Sequence, residues 1–263
     1  MRRRKRPSFF KEKLKEYEEM YQEFAYIYDK MMEDVDYLKW IDYIERIFSL
    51  YNIKPRDIAD LACGTGNITI RMADRGYNMI GVDSSPDMLQ VAQEKARKKG
   101  LKIPFVSQDM RELELHKQID AVLIMCDGIN YIIDDEDIDT VFYLIYNILR
   151  PGGVLLFDIS TYYKLSTILG DNIMIDDDQG IFLVWENSFD EEDSTCTMDL
   201  TFFVQENSLY RRFDEVHVQK AHHAQDLIYK LEKNRFININ CYHHLTFDGP
   251  KKRSQRLMFV AQK

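Results

Sequence analysis

Cysteine is scarce and widely spaced in this chain. Four cysteines occur among 263 residues, Cys63, Cys126, Cys196 and Cys241, and none forms a Cys-x-x-Cys pair. Disulfide-stapled secreted domains and structural zinc sites are built from closely spaced cysteines. The spacing therefore predicts reduced thiols in a cytoplasmic protein, and it argues against a disulfide framework or a zinc centre.

Long apolar runs are missing as well. The run AVLIMC at Ala121–Cys126 is typical of the longest, whereas a membrane-spanning helix needs about 20 apolar residues. The basic start MRRRKRPSFF is followed by KEKLKEYEEM, where a signal peptide would carry apolar residues. The sequence thus predicts no membrane partner. We interpret the basic start as a solvated tail, with contact to RNA or to an acidic partner as the alternative.

Positive charge is in deficit. The chain has 35 Lys and Arg residues against 44 Asp and Glu residues, which gives a net charge of −9. Proteins that bind nucleic-acid backbones usually present a basic face. This balance disfavours such a function, although the basic start and the stretch KKRSQR at Lys251–Arg256 are local exceptions.

Metal-ligand spacing is also absent from the histidines. The pairs His222–His223 and His243–His244 each consist of neighbouring residues, and neighbours on a strand point to opposite faces of the sheet. No acid or cysteine lies at ligand spacing from either pair. The sequence therefore predicts no metal site.

Alternating strands and helices occupy the middle of the chain. Five short apolar strands, from DIADLAC to VLLFDIS, alternate with helical segments up to Ser160, which predicts an α/β fold with a doubly wound, mostly parallel sheet. Beyond Ser160 the stretch TCTMDLTFFVQ alternates apolar and polar residues with period two, as a half-exposed antiparallel strand does. We expect an N-terminal helical lid or tail at 1–50, a core at 51–165 and 221–263, and an antiparallel β insertion at 166–220.

Two glycines follow the first predicted strand directly, in the stretch DLACGTGN. Gly64 and Gly66 allow a tight turn and let a ligand approach the backbone, and Asp83, at the end of the next strand, can accept hydrogen bonds from ribose hydroxyls. A dinucleotide fingerprint needs a third glycine where Thr69 stands, and a phosphate-binding loop needs Gly-Lys-Ser/Thr. Neither is present, so the loop predicts an adenosyl ligand without a pyrophosphate.

With these motifs the chain resembles the class I S-adenosylmethionine-dependent methyltransferases. The resemblance runs from about Tyr21 to the C-terminus and includes DLACGTGN, GVDSSPDML, SQDM and RPGGVLLFD, with Ala62 in place of the first of three alternating glycines. It implies a Rossmann-like seven-stranded sheet of order 3-2-1-4-5-7-6, with the last strand antiparallel. It also implies S-adenosylmethionine as the cofactor. Residues expected to contact the cofactor, in the glycine loop, at the strand ends and in the tyrosine-rich N-terminal segment, are Tyr21, Tyr28, Trp40, Ala62, Cys63, Gly64, Gly66, Asp83, Ser84, Met88, Asp109, Met110 and Cys126.

The methyl acceptor is expected between the end of the fourth strand and the insertion. Related small-molecule methyltransferases form the roof of the acceptor pocket with a sheet inserted at this point. The predicted acceptor contacts are Asp127, Asn130, Tyr131, Trp185, Phe203, Tyr210, Arg212, Glu215 and His217. His217 is a candidate base near neutral pH, or else an exposed strand histidine. For the N-terminal helix, plain packing on the sheet is the alternative to a cofactor contact.

We therefore expect an S-adenosylmethionine-dependent methyltransferase that acts on a small molecule. An RNA or protein methyltransferase, with the basic start and Lys251–Arg256 as contacts, is one alternative. A non-catalytic cofactor-binding regulator and, more remotely, a nicotinamide-dependent reductase are the others. The signature Asp/Asn-Pro-Pro-Tyr/Phe of DNA adenine methyltransferases does not follow the fourth strand. Exposed edges of the inserted strands can pair across a homodimer.

Overall fold

A computed structural model describes residues 24–263 of the chain. Tyr21 and the basic start lie outside the described residues. Within them, no helix is long and apolar enough to cross a membrane. The helices are α1 (residues 24–31), α2 (Tyr37–Leu50), α3 (Asn67–Asp74), α4 (Pro86–Lys98), α5 (Asp135–Ile148) and α6 (Ala224–Lys233). The strands are β1 (Asp57–Leu61), β2 (Asn78–Asp83), β3 (Phe105–Ser107), β4 (Ile119–Ile124), β5 (Leu149–Ser160), β6 (Ile173–Asp178), β7 (Ile181–Asp190), β8 (Thr195–Glu206), β9 (Leu209–Lys220), β10 (Ile237–His243) and β11 (Arg256–Gln262).

The larger sheet has seven strands in the order β10-β11-β5-β4-β1-β2-β3. Strands β1 to β5 pair in parallel, whereas β11 is antiparallel to both β5 and β10. Read from the other edge, this is the order expected from the resemblance, with the last strand antiparallel. The predicted fold class is confirmed.

Helices cover both faces of this sheet. The residues of β1 are all buried, as expected for a central strand with both faces covered. On one face α2 buries a stripe that includes Trp40, Ile41, Ile44 and Ile47 together with residues of α3. On the other face α5 and α6 pack against the alternate side chains of the same strands. Part of the N-terminal segment, α2, is thus a packing layer of the sheet.

A second sheet contains the four antiparallel strands β6-β7-β8-β9. The period-two pattern of TCTMDLTFFVQ is confirmed, because Cys196, Met198, Leu200 and Phe202 of β8 are all buried on one face. We call this the inner face, and it packs against α1 through Phe24. The other, outer face carries the alternate residues. Helix α1 therefore packs on the inner face of the second sheet.

Candidate active site

The glycine loop between β1 and α3 is built from left-handed backbone. Ala62, Gly64 and Gly66 have φ angles of 52°, 53° and 76°, a region that residues with a Cβ avoid. A Cβ on Gly66 would lie 3.1 Å from Cβ of Ala92 in α4, whereas one on Gly64 would meet nothing within 4 Å. Gly66 is therefore needed for packing. Gly64 leaves open space beside its backbone, which is what a ligand at this loop requires.

Asp83 lies at the end of β2, directly beside this loop. Its Oδ2 accepts the Gly64 N–H at 2.7 Å and its Oδ1 accepts the Ser85 N–H at 2.9 Å. Burial raises the pKa of Asp83, while these backbone hydrogen bonds oppose the shift. A carboxylate has about four lone-pair sites, so Asp83 keeps capacity for a ribose hydroxyl beside its backbone donors, among which is also Ser84. Ser84 beside it is exposed.

The ends of β3 and β4 also reach the glycine loop. The Gln108 N–H donates to the Asp83 carbonyl at 2.9 Å, which places Asp109 one residue beyond this contact. Asp109 forms an ion pair with Arg111 at 2.6 Å, and this hydrogen-bonded partner lowers the pKa of Asp109. On the β4 side, a Cβ on Gly128 would lie 3.0 Å from Cβ of Ala62. The strand ends therefore converge as predicted.

The two predicted adenine-side methionines are both partly buried. Met88 lies in the first turn of α4, where its N–H donates to Ser85 Oγ at 3.3 Å, and its side chain packs with the inner-face cluster of the second sheet. Met110 packs against the core on the α5 side of the large sheet. Their contact with adenine stays a prediction.

A buried carboxyl group at the start of the glycine loop accepts a hydrogen bond from the helix that follows the loop. Asp60, the first residue of DLACGTGN, is fully buried and accepts a hydrogen bond from the Thr69 hydroxyl. Burial raises the pKa of Asp60 to about 7, and burial also raises the pKa of the Cys63 thiol. Thr69 occupies the place of the missing third glycine and binds Asp60, a role that the glycine pattern alone did not indicate.

Asp29 of α1 holds this helix to the glycine loop. Its carboxylate accepts hydrogen bonds from Thr65 Oγ1 at 2.7 Å, Asn67 Nδ2 at 2.8 Å and Lys95 Nζ at 2.6 Å. Burial alone would raise the pKa of Asp29, but these partners, Lys95 foremost, lower it. We did not predict Asp29 from the sequence, since its partners lie in distant segments and no local pattern marks them.

The two aromatic residues predicted in the N-terminal segment have different surroundings. Tyr28 is largely buried close to Cys126, and burial raises the pKa of its hydroxyl. Trp40 is buried in the α2 layer, with its ring 5.2 Å from the His244 ring and 5.6 Å from the Arg256 guanidinium carbon. The contacts of Trp40 fit the alternative to a cofactor contact, which is plain packing of the N-terminal helix on the sheet.

A charged network fixes the end of β4. Cys126 and Asp127 both have positive φ angles, 60° and 58°. The Asp127 N–H donates to Asp158 at 3.0 Å, while the Asp127 carboxylate pairs with Arg256 at 2.6 Å and accepts from Gln219 Nε2 at 2.7 Å. Burial alone would raise the pKa of Asp127, but the positive charges of Arg256 and Lys164 hold it below its ordinary value. Asp127 is therefore ionised and held in place from β9.

Asn130 and Tyr131 follow Asp127 but differ in exposure. Asn130 is buried, and its amide donates to the carbonyls of Ser160 at 2.9 Å and Lys220 at 2.8 Å while accepting from the Ser160 N–H at 2.9 Å. These bonds occupy both amide hydrogens, so we correct its predicted role from acceptor contact to bracing of the backbone. Tyr131 is accessible, and its hydroxyl lies 3.4 Å from His217 Nδ1.

The predicted acceptor residues of the second sheet lie on two faces. Trp185, Glu215 and His217 are on the inner face, in rows through Leu200 and Met198 of β8. By contrast, Phe203 pairs with Arg212 on the outer face. Tyr210 shares that face and is 58% exposed, and Arg212 forms an ion pair with Asp214. Strand alternation therefore turns Phe203, Tyr210 and Arg212 away from α1, and their contact with the acceptor stays a prediction.

Four polar atoms of the inner face are buried without a hydrogen-bond partner among the described residues. They are Trp185 Nε1, Asn187 Oδ1, Glu215 Oε1 and His217 Nε2. Buried polar groups in folded proteins are nearly always hydrogen-bonded, and exceptions call for an explanation such as a functional role. Burial raises the pKa of Glu215 to about 7 and lowers that of His217.

The four histidines considered for metal binding each have a separate neighbour. His222 bonds the Ile132 carbonyl at 3.0 Å, and His243 bonds Ser254 Oγ at 2.8 Å. His223 stacks on Tyr162, and His244 packs on Trp40. In the part of the chain that the structure describes, no three His, Cys, Asp or Glu side chains form a group that could hold a metal ion.

Comparisons with known proteins agree with this geometry. A family model described as a methyltransferase domain matches residues 58–153. The chain is 35% identical over 245 residues to YqeM of Bacillus subtilis (strain 168), and the match covers 93% of this chain and 97% of YqeM. The name of YqeM assigns it provisionally to the methyltransferases. An S-adenosylmethionine-dependent methyltransferase from Clostridium acetobutylicum ATCC 824 has a crystal structure with a TM-score of 0.85 and 37% identity, over 92% of this chain and 98% of that one. The more distant DesVI of Streptomyces venezuelae shares the fold, with a TM-score of 0.74 and 20% identity over 90% and 96% of the two chains. The chain belongs to the class I S-adenosylmethionine-dependent methyltransferases, and S-adenosylmethionine is its cofactor.

Proposed function

We propose that the methyl acceptor is a small molecule and that it binds between the inner face of the second sheet and the end of β4. The observation that carries this proposal is the set of unpartnered buried atoms on Trp185, Glu215 and His217. Two of these residues, Glu215 and His217, lie on β9 and lead towards Asp127, because Gln219, two residues past His217 on the same face, bonds the Asp127 carboxylate.

The cofactor would be held by the residues of the crevice already described. Gly64 offers open space at the backbone, and Asp83 offers carboxylate oxygens to the ribose hydroxyls. When bound, S-adenosylmethionine supplies a methyl group attached to a sulfonium sulfur, and the thioether that remains after transfer is the leaving group. The chain then has to orient the acceptor, exclude water and, where the accepting atom carries a proton, remove it.

His217 is the residue proposed to take that proton. Burial lowers its pKa, so the ring is neutral at pH 7 and can accept a proton. In the tautomer that this role requires, Nδ1–H donates to the Tyr131 hydroxyl, 3.4 Å away, and the buried, unpartnered Nε2 carries the lone pair. Phe24 of α1 packs on the ring at 5.3 Å and helps to exclude water.

Names of related proteins support a small acceptor. A glycine/sarcosine N-methyltransferase of Halorhodospira halochloris is 30% identical over 137 residues, or 47% of this chain and 51% of that protein. A demethylmenaquinone methyltransferase of Thermus thermophilus is 33% identical over 105 residues, 39% of this chain and 46% of that one. Both names denote small acceptors, of unrelated chemistry, so they support the class of acceptor without choosing among its members.

The RNA alternative loses one of its expected contacts. Arg256, the last residue of KKRSQR, is only 17% exposed and is paired with Asp127 and Asp158. A guanidinium held by two carboxylates is not offered to a phosphate backbone. Lys251 of the same stretch is exposed and bonds Asp248.

The test measures S-adenosylhomocysteine released by the purified full chain. Three fractions of a bacterial lysate serve as acceptor: small molecules below 3 kDa, total RNA and total protein. We expect turnover with the small molecules, unaffected by RNase, and a loss of about 100-fold or more in His217→Ala. His116→Ala, at a highly exposed histidine, is the matched control. Turnover that requires RNA or protein would contradict the proposal, and release of no product from any fraction would favour the non-catalytic regulator.

Three further predictions stay proposals. A cytoplasmic location agrees with four free cysteine thiols in the described residues. The division into lid, core and insertion agrees with the separate second sheet. Pairing of two copies would use the edge strand β6, where Ile173 and Ile175 are exposed.

A further inference from the structure

Glu215 is an unusual residue on the inner face of the second sheet. Only 1% of it is exposed, and its Oε1 has no hydrogen-bond partner. On this face Leu200 is directly opposite on β8, Phe213 lies two residues before Glu215 on β9, and the His217 ring lies two residues after it. No Lys or Arg of the described residues forms an ion pair with it. A carboxyl group in such surroundings is costly to ionise without a cation.

The residues beside Glu215 fit a cation. Trp185 lies on the same cross-strand row, on the other side of Leu200, and aromatic faces attract ammonium groups. The carboxylates of Asp127 and Asp29 each already have a cationic partner, since Asp127 pairs with Arg256 and Asp29 pairs with Lys95. Glu215 is therefore the inner-face carboxyl group that still has capacity for a positive charge.

We propose that Glu215, assisted by Trp185, recognises a cationic amine on the methyl acceptor. This inference rests on the proposed function and names its substrate class. Glu215 lies two residues from His217 on the same face of β9, which corresponds to about 7 Å along the strand. The ammonium group is thus separate from the atom that is methylated, and Glu215 determines specificity rather than taking part in the transfer.

The test compares amines with their hydroxyl counterparts on the full chain saturated with S-adenosylhomocysteine. The probes are three matched pairs: glucosamine and glucose, 2-phenylethylamine and 2-phenylethanol, and 5-amino-1-pentanol and 1,5-pentanediol, each in phosphate buffer by calorimetry. We expect at least one amine to bind about tenfold or more tighter than its neutral partner. Glu215→Gln should reduce that preference to near one, because the variant keeps the size and loses the charge.

The matched control is Glu186→Gln, the same substitution beside Trp185 but on the exposed outer face. It should leave the amine preference unchanged. Equal binding of amines and alcohols, an amine preference that survives in Glu215→Gln, or no binding by any amine would overturn the inference. The two proposals fail differently. Turnover with neutral small molecules would contradict the amine inference alone, whereas turnover only with RNA or protein would contradict the proposed function.

Discussion

Replacing Glu215 with glutamine is expected to change how the stability of the protein depends on pH. Burial raises the pKa of Glu215 from its ordinary value of 4.5 to about 7. Below about pH 4.5 the group is protonated in both the folded and the unfolded chain, and its stabilising contribution is fully present. Between pH 4.5 and 7 the unfolded chain loses this proton first, so rising pH favours unfolding.

The size of the effect follows from the shift of about 2.5 pKa units. At about 1.4 kcal/mol per unit, wild type should lose about 3 kcal/mol of unfolding free energy relative to Glu215→Gln between pH 4.5 and 8. For a domain of this size, 1 kcal/mol corresponds to roughly 2–4 °C in melting temperature, so the difference between the two proteins should change by roughly 6–12 °C. Differential scanning calorimetry at several pH values measures it.

The design separates Glu215 from other titrating groups. Asp60 has a raised pKa and His217 a lowered one, but both are present in wild type and variant, and their contributions largely cancel in the difference. Glu186→Gln controls for loss of an exposed charge. A difference that does not vary with pH would refute the reasoning, and a variant that becomes relatively less stable as pH rises would show that Glu215 already has a cationic partner.

Three more substitutions probe the cofactor crevice. Asp83→Ala should weaken S-adenosylmethionine binding about 100-fold or more in calorimetry, since two hydrogen bonds to a charged group are lost; unchanged affinity would place the ribose elsewhere. Gly64→Ala should cost about 1 kcal/mol of stability for its φ of 53° and lower the affinity further, because its Cβ would occupy the open space; urea unfolding and calorimetry separate the two effects. Asp29→Ala should weaken cofactor binding, and it should destabilise the fold because it leaves Lys95 without its carboxylate partner. Adding Lys95→Met should restore the stability but not the affinity for the cofactor. Recovery of both in the double variant would contradict this role of Asp29.

The large sheet and the cofactor loop were predictable because their signals are local. A continuous apolar strand, two glycines and an acid at the next strand end lie within a short stretch, DLACGTGN to Asp83. The parallel sheet then brings these strand ends to one edge whatever the rest of the chain does. The strand order came from the resemblance, since periodicity does not rank strands within a sheet.

The faces of the second sheet were less predictable. In β8 two phenylalanines are adjacent, and the alternation assigns Phe202 to the apolar row without saying what either face of the sheet packs against. Packing decides: Phe202 stacks on Phe213 at 4.9 Å and contacts Phe24 of α1 at 5.9 Å. This places Phe203 outside and, through the cross-strand register, Arg212 with it.

The network residues were missed for a different reason. Arg256 and Asp158 are 98 residues apart along the chain, and Asp29 and Lys95 are 66 apart. No periodicity or motif marks such pairs. Lys251–Arg256 even had a competing interpretation as a basic contact for RNA, and only the fold shows that its last residue is a buried ion-pair partner.

Helix α1 has consequences for the order and strength of binding. One of its residues, Asp29, is tied to the glycine loop, while Phe24 packs on the inner face of the second sheet. A ligand that holds this helix against one region spares a second ligand the entropy of ordering it. Cofactor and acceptor should therefore bind with positive cooperativity, and thermodynamic reciprocity requires each to raise the affinity of the other by the same factor. Since the helix contacts both regions, a bound acceptor would also delay the departure of the spent cofactor.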